Sequence, residues 1–261
     1  MSHELQETIN RWKTYLQKIE QRFDQSLQQA EETCKDLLVE SNYDYYEVMK
    51  TWMAIKSQIY DISKSVTQTW EQKVFPQLRL HTNFDLPSGL HESDFTLYLI
   101  NKLEQFERKL EADLSQTFYN HAIQSANQQF FCTQCHSPLV IKSNIFRAHY
   151  VTCNYCQATN TFTPDTKYAQ IGGNIIDNIV AKKCEHLYQQ MQNSLNVIQN
   201  QRPPVAEQLW DKYKADYFYY YEAYFTERMK LNEDVKDRFD ADMQRKKTEY
   251  QQYENLHKKS Y

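Results

Sequence analysis

Residues 131–157 read FCTQCHSPLVIKSNIFRAHYVTCNYCQ, with two C-x-x-C pairs, Cys132/Cys135 and Cys153/Cys156, separated by 17 residues. A C-x-x-C pair on a tight turn can point both sulfurs at one ion, and a second such turn completes a tetrahedron. Zinc favours four-sulfur tetrahedral sites with bonds of ~2.3 Å, and this spacing falls inside the zinc-site pattern. Four thiolates close the coordination shell, whereas a catalytic zinc needs an open position. A rubredoxin-like iron site would use the same ligand set with a longer loop between pairs. A dithiol redox pair would use the same C-x-x-C spacing, but in a βαβ context that the surrounding sequence lacks. His136 and His149 stand beside the cysteines in sequence and could replace a ligand. With four cysteines at hand they read as neighbours of the site or as surface residues. The expectation is one structural Zn2+ held by Cys132, Cys135, Cys153 and Cys156, with no catalytic residue and no small-molecule substrate.

Between and after the pairs lie short β-prone runs, LVIKSNIF, RAHYVTC and Asn160-Thr161-Phe162-Thr163. On these residues the segments CTQCHSPLVI and VTCNYCQATNTFTP resemble the two knuckles and strands of a zinc ribbon. The resemblance covers about residues 130–165 and no more of the chain. It implies a small antiparallel sheet around one structural zinc, with the four cysteines as ligands. Zinc ribbons often place glycine after the second cysteine of each knuckle, where the backbone turns left-handed. Here His136 and Gln157 hold those places, and such residues adopt that conformation at a cost. A ribbon of ~35 residues cannot bury enough core to fold alone. Structural zinc supplies roughly 10–16 kcal/mol of binding energy to such small domains.

The elements that must hold this module are helices. The chain of 261 residues has only 3 glycines and 6 prolines, a composition that favours long uninterrupted helices. Leu5, Ile9, Trp12, Leu16, Ile19, Phe23, Leu27, Ala30, Cys34 and Leu37 recur at steps of three and four residues. A second stripe, from Tyr45 through Val48, Trp52, Ile55, Ile59, Ile62 and Val66 to Trp70, follows a break at Ser41-Asn42. Ser41 and Asp44 there resemble a capping box. A third stripe runs from Phe95 to Phe118 and a fourth from Ile176 to Ile198.

The expected fold class is therefore mainly α: a multi-helix bundle, or antiparallel coiled-coil hairpins, with a small β zinc ribbon inserted. The expected organisation is an N-terminal helical hairpin over 1–75 and a connecting loop over 76–91. Hairpin arms follow over 92–131 and 166–201, flanking the insert at 130–165, and a Tyr-rich helical segment over 203–261 closes the chain. Pro76, Pro87 and Gly89 mark the loop. Gly172-Gly173 mark the start of the fourth helix or a close approach, and Pro203-Pro204 start the last segment.

ADYFYYYEAYF, residues 215–225, contains Tyr217, Phe218, Tyr219, Tyr220, Tyr221, Tyr224 and Phe225. At 100° per residue these side chains cannot share one helix face. One reading is a central helix packed on several sides, with hydroxyls reaching polar partners. The other is an exposed aromatic docking surface, since Tyr is enriched at protein interfaces. Stacking on single-stranded nucleic acid would need a basic groove, but Asp211, Asp216, Glu222 and Glu227 surround the stretch.

The net charge is -4, which gives no strong field for nucleic acid or anionic membrane. Between Cys132 and Pro164 the fixed cations are Lys142 and Arg147. No P-loop, dinucleotide fingerprint, hydrolase elbow or H-E-x-x-H occurs. The functional expectation is a non-catalytic scaffold or adaptor that acts through protein partners or self-association. The alternatives are a nucleic-acid-binding zinc-ribbon factor and, more remotely, an elongated helical protein on a membrane surface. No secretory h-region opens the chain, and no run approaches the ~18 apolar residues of a membrane span. Paired cysteine spacing and two leftover cysteines, Cys34 and Cys184, suit a reducing compartment, so a cytoplasmic location is expected.

Overall fold

A computed structural model describes residues 3–81, 86–87, 89–141, 145–169, 172–202 and 204–258. The protein is mainly α with a small two-stranded antiparallel sheet among the described residues. It divides into two compact units, residues 1–114 and 115–261, with the boundary inside one long helix.

In the first unit, α1 (His3–Glu40) buries Leu5, Ile9, Trp12, Leu16, Ile19, Phe23, Leu27, Ala30, Cys34 and Leu38. The seam ends on Leu38, four residues after Cys34, rather than on the expected Leu37, three residues after it. Helix α2 (Tyr45–Thr69) returns along α1 and buries Tyr45, Val48, Trp52, Ile59, Ile62 and Val66. The turn between them is tight. Asn42 and Tyr43 both take left-handed backbone angles, φ 55 and 60, and the Tyr43 N–H closes onto the Leu38 carbonyl at 2.8 Å. The cap is Asp44, whose carboxylate accepts the Glu47 N–H at 3.1 Å. Ser41 supports it by accepting the Asp44 N–H at 3.2 Å.

Beyond α2 the ladder widens into a π-helical turn, Trp70–Val74, before the short α3 (Phe75–Leu78). Pro76 offers no N–H to the carbonyl four residues back, and a locally wider helix is a usual way to accommodate that loss. Helix α4 spans Glu92–Gln129. Its first part lies against α1 and α2, burying Leu99, Leu103, Leu110 and Leu114. Glu107 receives both the Trp52 indole N–H at 3.1 Å and the Lys56 ammonium at 2.6 Å. Lys102 pairs with Asp24 at 2.6 Å.

In the second unit the remainder of α4 leads into the cysteine module. The module contains the hairpin β1 (His149–Thr152) and β2 (Thr159–Phe162), registered His149 against Phe162 and Thr152 against Thr159. Short α5 (Thr166–Ala169) and α6 (Gly172–Lys183) follow, then α7 (Glu185–Gln199). The fourth hydrophobic stripe is thus split: at Cys184 the backbone moves to φ -97, ψ 8, and one carbonyl accepts the N–H groups of both Leu187 and Tyr188. Helix α8 (Glu207–Leu231) packs against α6, α7 and α9 (Phe239–Lys258), with a 3-10 turn, Glu233–Arg238, joining α8 to α9. No described helix is long and apolar enough to cross a membrane.

Candidate metal centre

The polypeptide enters the module from α4 through Phe130, whose carbonyl accepts the Leu139 N–H at 3.0 Å; Phe131 pairs with Pro138 as an isolated bridge. Between them the chain makes a knuckle. The His136 N–H returns to the Cys132 carbonyl at 2.9 Å, and the Cys132 N–H donates to the Ser137 carbonyl at 2.8 Å. The second knuckle repeats this pattern. The Gln157 N–H reaches the Cys153 carbonyl at 3.0 Å, and the Cys153 N–H reaches the Ala158 carbonyl at 2.9 Å. His136 and Gln157 have φ of 58 and 63, the left-handed turn expected after the second cysteine of each pair. Without glycine the turn carries steric cost, and the closing hydrogen bonds offset it.

The two knuckles face one another, and the Sγ atoms of Cys132, Cys135, Cys153 and Cys156 all lie within 4.8 Å of each other. Cross-knuckle distances are 3.5 Å for Cys132–Cys156 and 3.6 Å for Cys135–Cys153. A tetrahedral site with bonds of ~2.3 Å has sulfur–sulfur edges of ~3.8 Å, so the cluster fits an ion of that size. Disulfides would need sulfurs ~2.05 Å apart, and all six cysteines are free thiols. The donor set can therefore hold one metal ion. His136 and His149 are outside it: the His149 ring packs on Phe162 and its Nδ1 faces the Arg147 carbonyl at 3.0 Å.

Electrostatics at the four sulfurs are uneven. The Cys135 N–H donates to Cys132 and, against burial, helps hold that thiol down to about 6; the Gln134 N–H, Cys156 and Asn160 act in the same direction. Cys135 is lowered, chiefly through Ser137. The Ala158 N–H favours the Cys156 thiolate, yet burial and the three facing sulfurs push it up to about 12. The first proton leaves easily and the last resists, because negative charge accumulates in one small space. A bound cation relieves that repulsion.

The apolar cluster under the site consists of Cys132, Leu139 and Cys153, with Phe130, Val151, Cys156 and Ala158 packed against it. Its ligands are most of its core. Among the described residues, side chains far apart in sequence tie the module to the helices. Asn127 of α4 exchanges two hydrogen bonds with the Ile141 main chain. Ile145 and Phe146 are buried, with the Phe146 ring 5.9 Å from that of Tyr119. Phe146 also lies directly over Gly172, at the start of α6. The Gly172-Gly173 pair had signalled a close approach; only the first glycine makes one. Lys142 lies outside the described residues, and Arg147 is exposed.

The Tyr-rich stretch occupies α8 and is spread around the helix. Tyr217, Tyr220 and Phe225 are buried, Phe218, Tyr221 and Tyr224 are half-buried, and Tyr219 is exposed. Tyr217 and Phe218 pack on Tyr250 of α9, and Tyr220 on Tyr188 of α7. Burial, reinforced by Tyr221 nearby, pushes the Tyr217 and Tyr220 hydroxyls well above the usual phenol range. Most of the stretch thus serves the interior of the second unit. Compared with protein-family models, curated proteins and solved structures, the chain matches none.

Proposed function

We propose that this protein is a non-catalytic helical scaffold whose cysteine module is folded by one structural zinc ion and docks a protein partner. The observation that carries the reading is the surface of the module. Tyr150 and Tyr155 are each 78% exposed, Val140 is 63% exposed and Phe131 49% exposed. Scattered exposed apolar residues are normal, but here four fall within one small module, and Tyr150 and Tyr155 carry the amphipathic side chain favoured at interfaces. The four-thiolate donor set supports a structural ion, since it leaves no coordination position for a substrate. Only two fixed cations, Lys142 and Arg147, lie between Cys132 and Pro164, which favours protein over nucleic acid, whose phosphates demand clustered cations. Cys34 and Cys184 are buried free thiols, which suits a reducing compartment and supports a cytoplasmic location.

The test is purification of the tagged full chain from its native cells, with and without nuclease, followed by metal analysis. The reading requires one zinc per chain and a stoichiometric protein partner that survives nuclease. Tyr150→Ser combined with Tyr155→Ser should release that partner and leave the zinc content unchanged. Iron in place of zinc, or nucleic acid as the retained species, overturns it.

A further inference from the structure

The geometry points to Asn160 as the positioning residue of the metal centre: its buried carboxamide joins the two knuckles and directs one N–H at the Cys132 sulfur. This deepens the metal-binding reading and rests on it. Asn160 lies in β2 and is 3% exposed. A carboxamide has two N–H donors and an oxygen with two lone pairs, and all four are used. Oδ1 accepts the Thr133 N–H at 2.8 Å and the Thr133 hydroxyl at 3.1 Å. Nδ2 donates to the Ala158 carbonyl at 3.0 Å and to Cys132 Sγ at 3.6 Å.

Thr133 belongs to the first knuckle and Ala158 closes the second. One side chain therefore sets the distance between the two halves of the donor set. The orientation of the amide follows from its partners. Turned over, it would press its oxygen against the Cys132 sulfur and the Ala158 carbonyl, and its NH2 against the Thr133 N–H. Cys132 is fully buried, so no solvent is at hand to replace the lost donor. The other sulfurs have their own neighbours. The Tyr155 N–H donates to Cys153 Sγ at 3.4 Å, and the Ser137 hydroxyl lies 3.4 Å from Cys135 Sγ. Asn160 supplies a side-chain donor for Cys132, spreading charge away from a metal-bound thiolate.

The experiment loads the reduced full chain with Co2+ and follows both affinity and the sulfur-to-cobalt charge-transfer band. Asn160→Ala should weaken binding by ~10–100-fold, the usual cost of losing a residue that orients a ligand. It should also move the band to longer wavelength, because removing the N–H raises the energy of the sulfur lone pair. Leu139→Ala, which removes apolar packing beneath the site, should weaken binding and leave the band in place. An Asn160→Ala protein with unchanged affinity, or with weakened affinity and an unmoved band, overturns the proposal. Should that variant take up no cobalt, the unmutated chain loaded with NMR-active cadmium gives the answer. Scalar coupling between the metal and the Asn160 side-chain N–H is expected, and its absence overturns the proposal. Failure of the unmutated chain to form a tetrahedral sulfur site at all would instead defeat the metal-binding reading.

Discussion

Asn127, near the end of α4, grips the main chain of Ile141 with both ends of its amide: the Ile141 N–H reaches Oδ1 at 2.6 Å, and Nδ2 reaches the Ile141 carbonyl at 3.0 Å. Ile141 is 2% exposed, so neither backbone group has ready access to water. Asn127→Ala should cost about 1–3 kcal/mol, the penalty of leaving buried polar groups unpaired. Hydrogen exchange at the Ile141 amide should accelerate, while the metal stoichiometry stays at that of the unmutated protein. Unchanged protection at Ile141 would show that the clasp is not formed in solution.

Metal removal should unfold the module and spare the helices. Its apolar cluster is built largely from its own ligands, so without an ion little remains to hold it together. Chelation under reducing conditions, or Cys132→Ser, should abolish amide protection in 149–152 and 159–162. The far-UV helical signal should change little, because α1, α2 and α8 bury their stripes without the four clustered cysteines. A chelator that melts the whole protein would contradict this division of labour.

Gly172 and Gly173 should respond differently to the same methyl group. A Cβ on Gly172 would sit 2.5 Å from Cγ and 2.8 Å from Cβ of Phe146, near the root of the side chain, where it cannot swing aside. Gly172→Ala should therefore destabilise by ~1–3 kcal/mol, the range for overpacking. Gly173 meets nothing within 4 Å, and Gly173→Ala should be neutral or stabilising by up to ~1 kcal/mol through helix propensity. Thermal denaturation of the two single variants distinguishes them, and in a Phe146→Ala background, which lacks the Cγ and Cδ1 atoms of the clash, the cost of Gly172→Ala should shrink.

Asp216 should make the second unit acid-sensitive. Its carboxylate is 8% exposed and accepts from Ser194 and Gln190 of α7 and from Lys212 of its own helix, the last at 2.9 Å. Burial opposes ionisation, but these three donors outweigh it and hold the carboxyl below its usual range. The folded pKa is thus depressed relative to the unfolded one. The stabilisation is complete above the ordinary carboxylate range and is lost as pH falls through the depressed value. Asp216→Asn should lower the melting temperature at neutral pH and flatten its decline in acid. An unchanged acid limb would assign the sensitivity to other carboxylates.

The helical seams were legible because burial in a two- or three-helix layer imposes a 3.6-residue period on one stripe. In α1 that period foretold nine of the ten buried positions from Leu5 to Leu38. The break at Cys184 was not legible, since the residues on both sides keep the same period and only a backbone rotation at one position separates α6 from α7. The left-handed turn at Asn42 and Tyr43 was half legible: asparagine commonly adopts that conformation, whereas a tyrosine at φ 60 is held there by the closing hydrogen bonds of the hairpin.

At the candidate site the four sulfurs were legible from the C-x-x-C spacing, which constrains a tight local turn, and the left-handed corners at His136 and Gln157 were expected only from the likeness of those turns to zinc-ribbon knuckles. What joins them emerges only when residues distant in the chain pack together. Asn160 is separated from Thr133 by 27 residues and Asn127 from Ile141 by 14, and no local pattern marks such amides as buried clasps. The same holds for α8. Its aromatic composition is plain in the chain, but the placement of Tyr217 in the interior and Tyr219 in solvent depends on which faces α6, α7 and α9 cover. Local spacing fixes a side chain's direction on its own element, and only the packing of distant elements fixes what that direction meets.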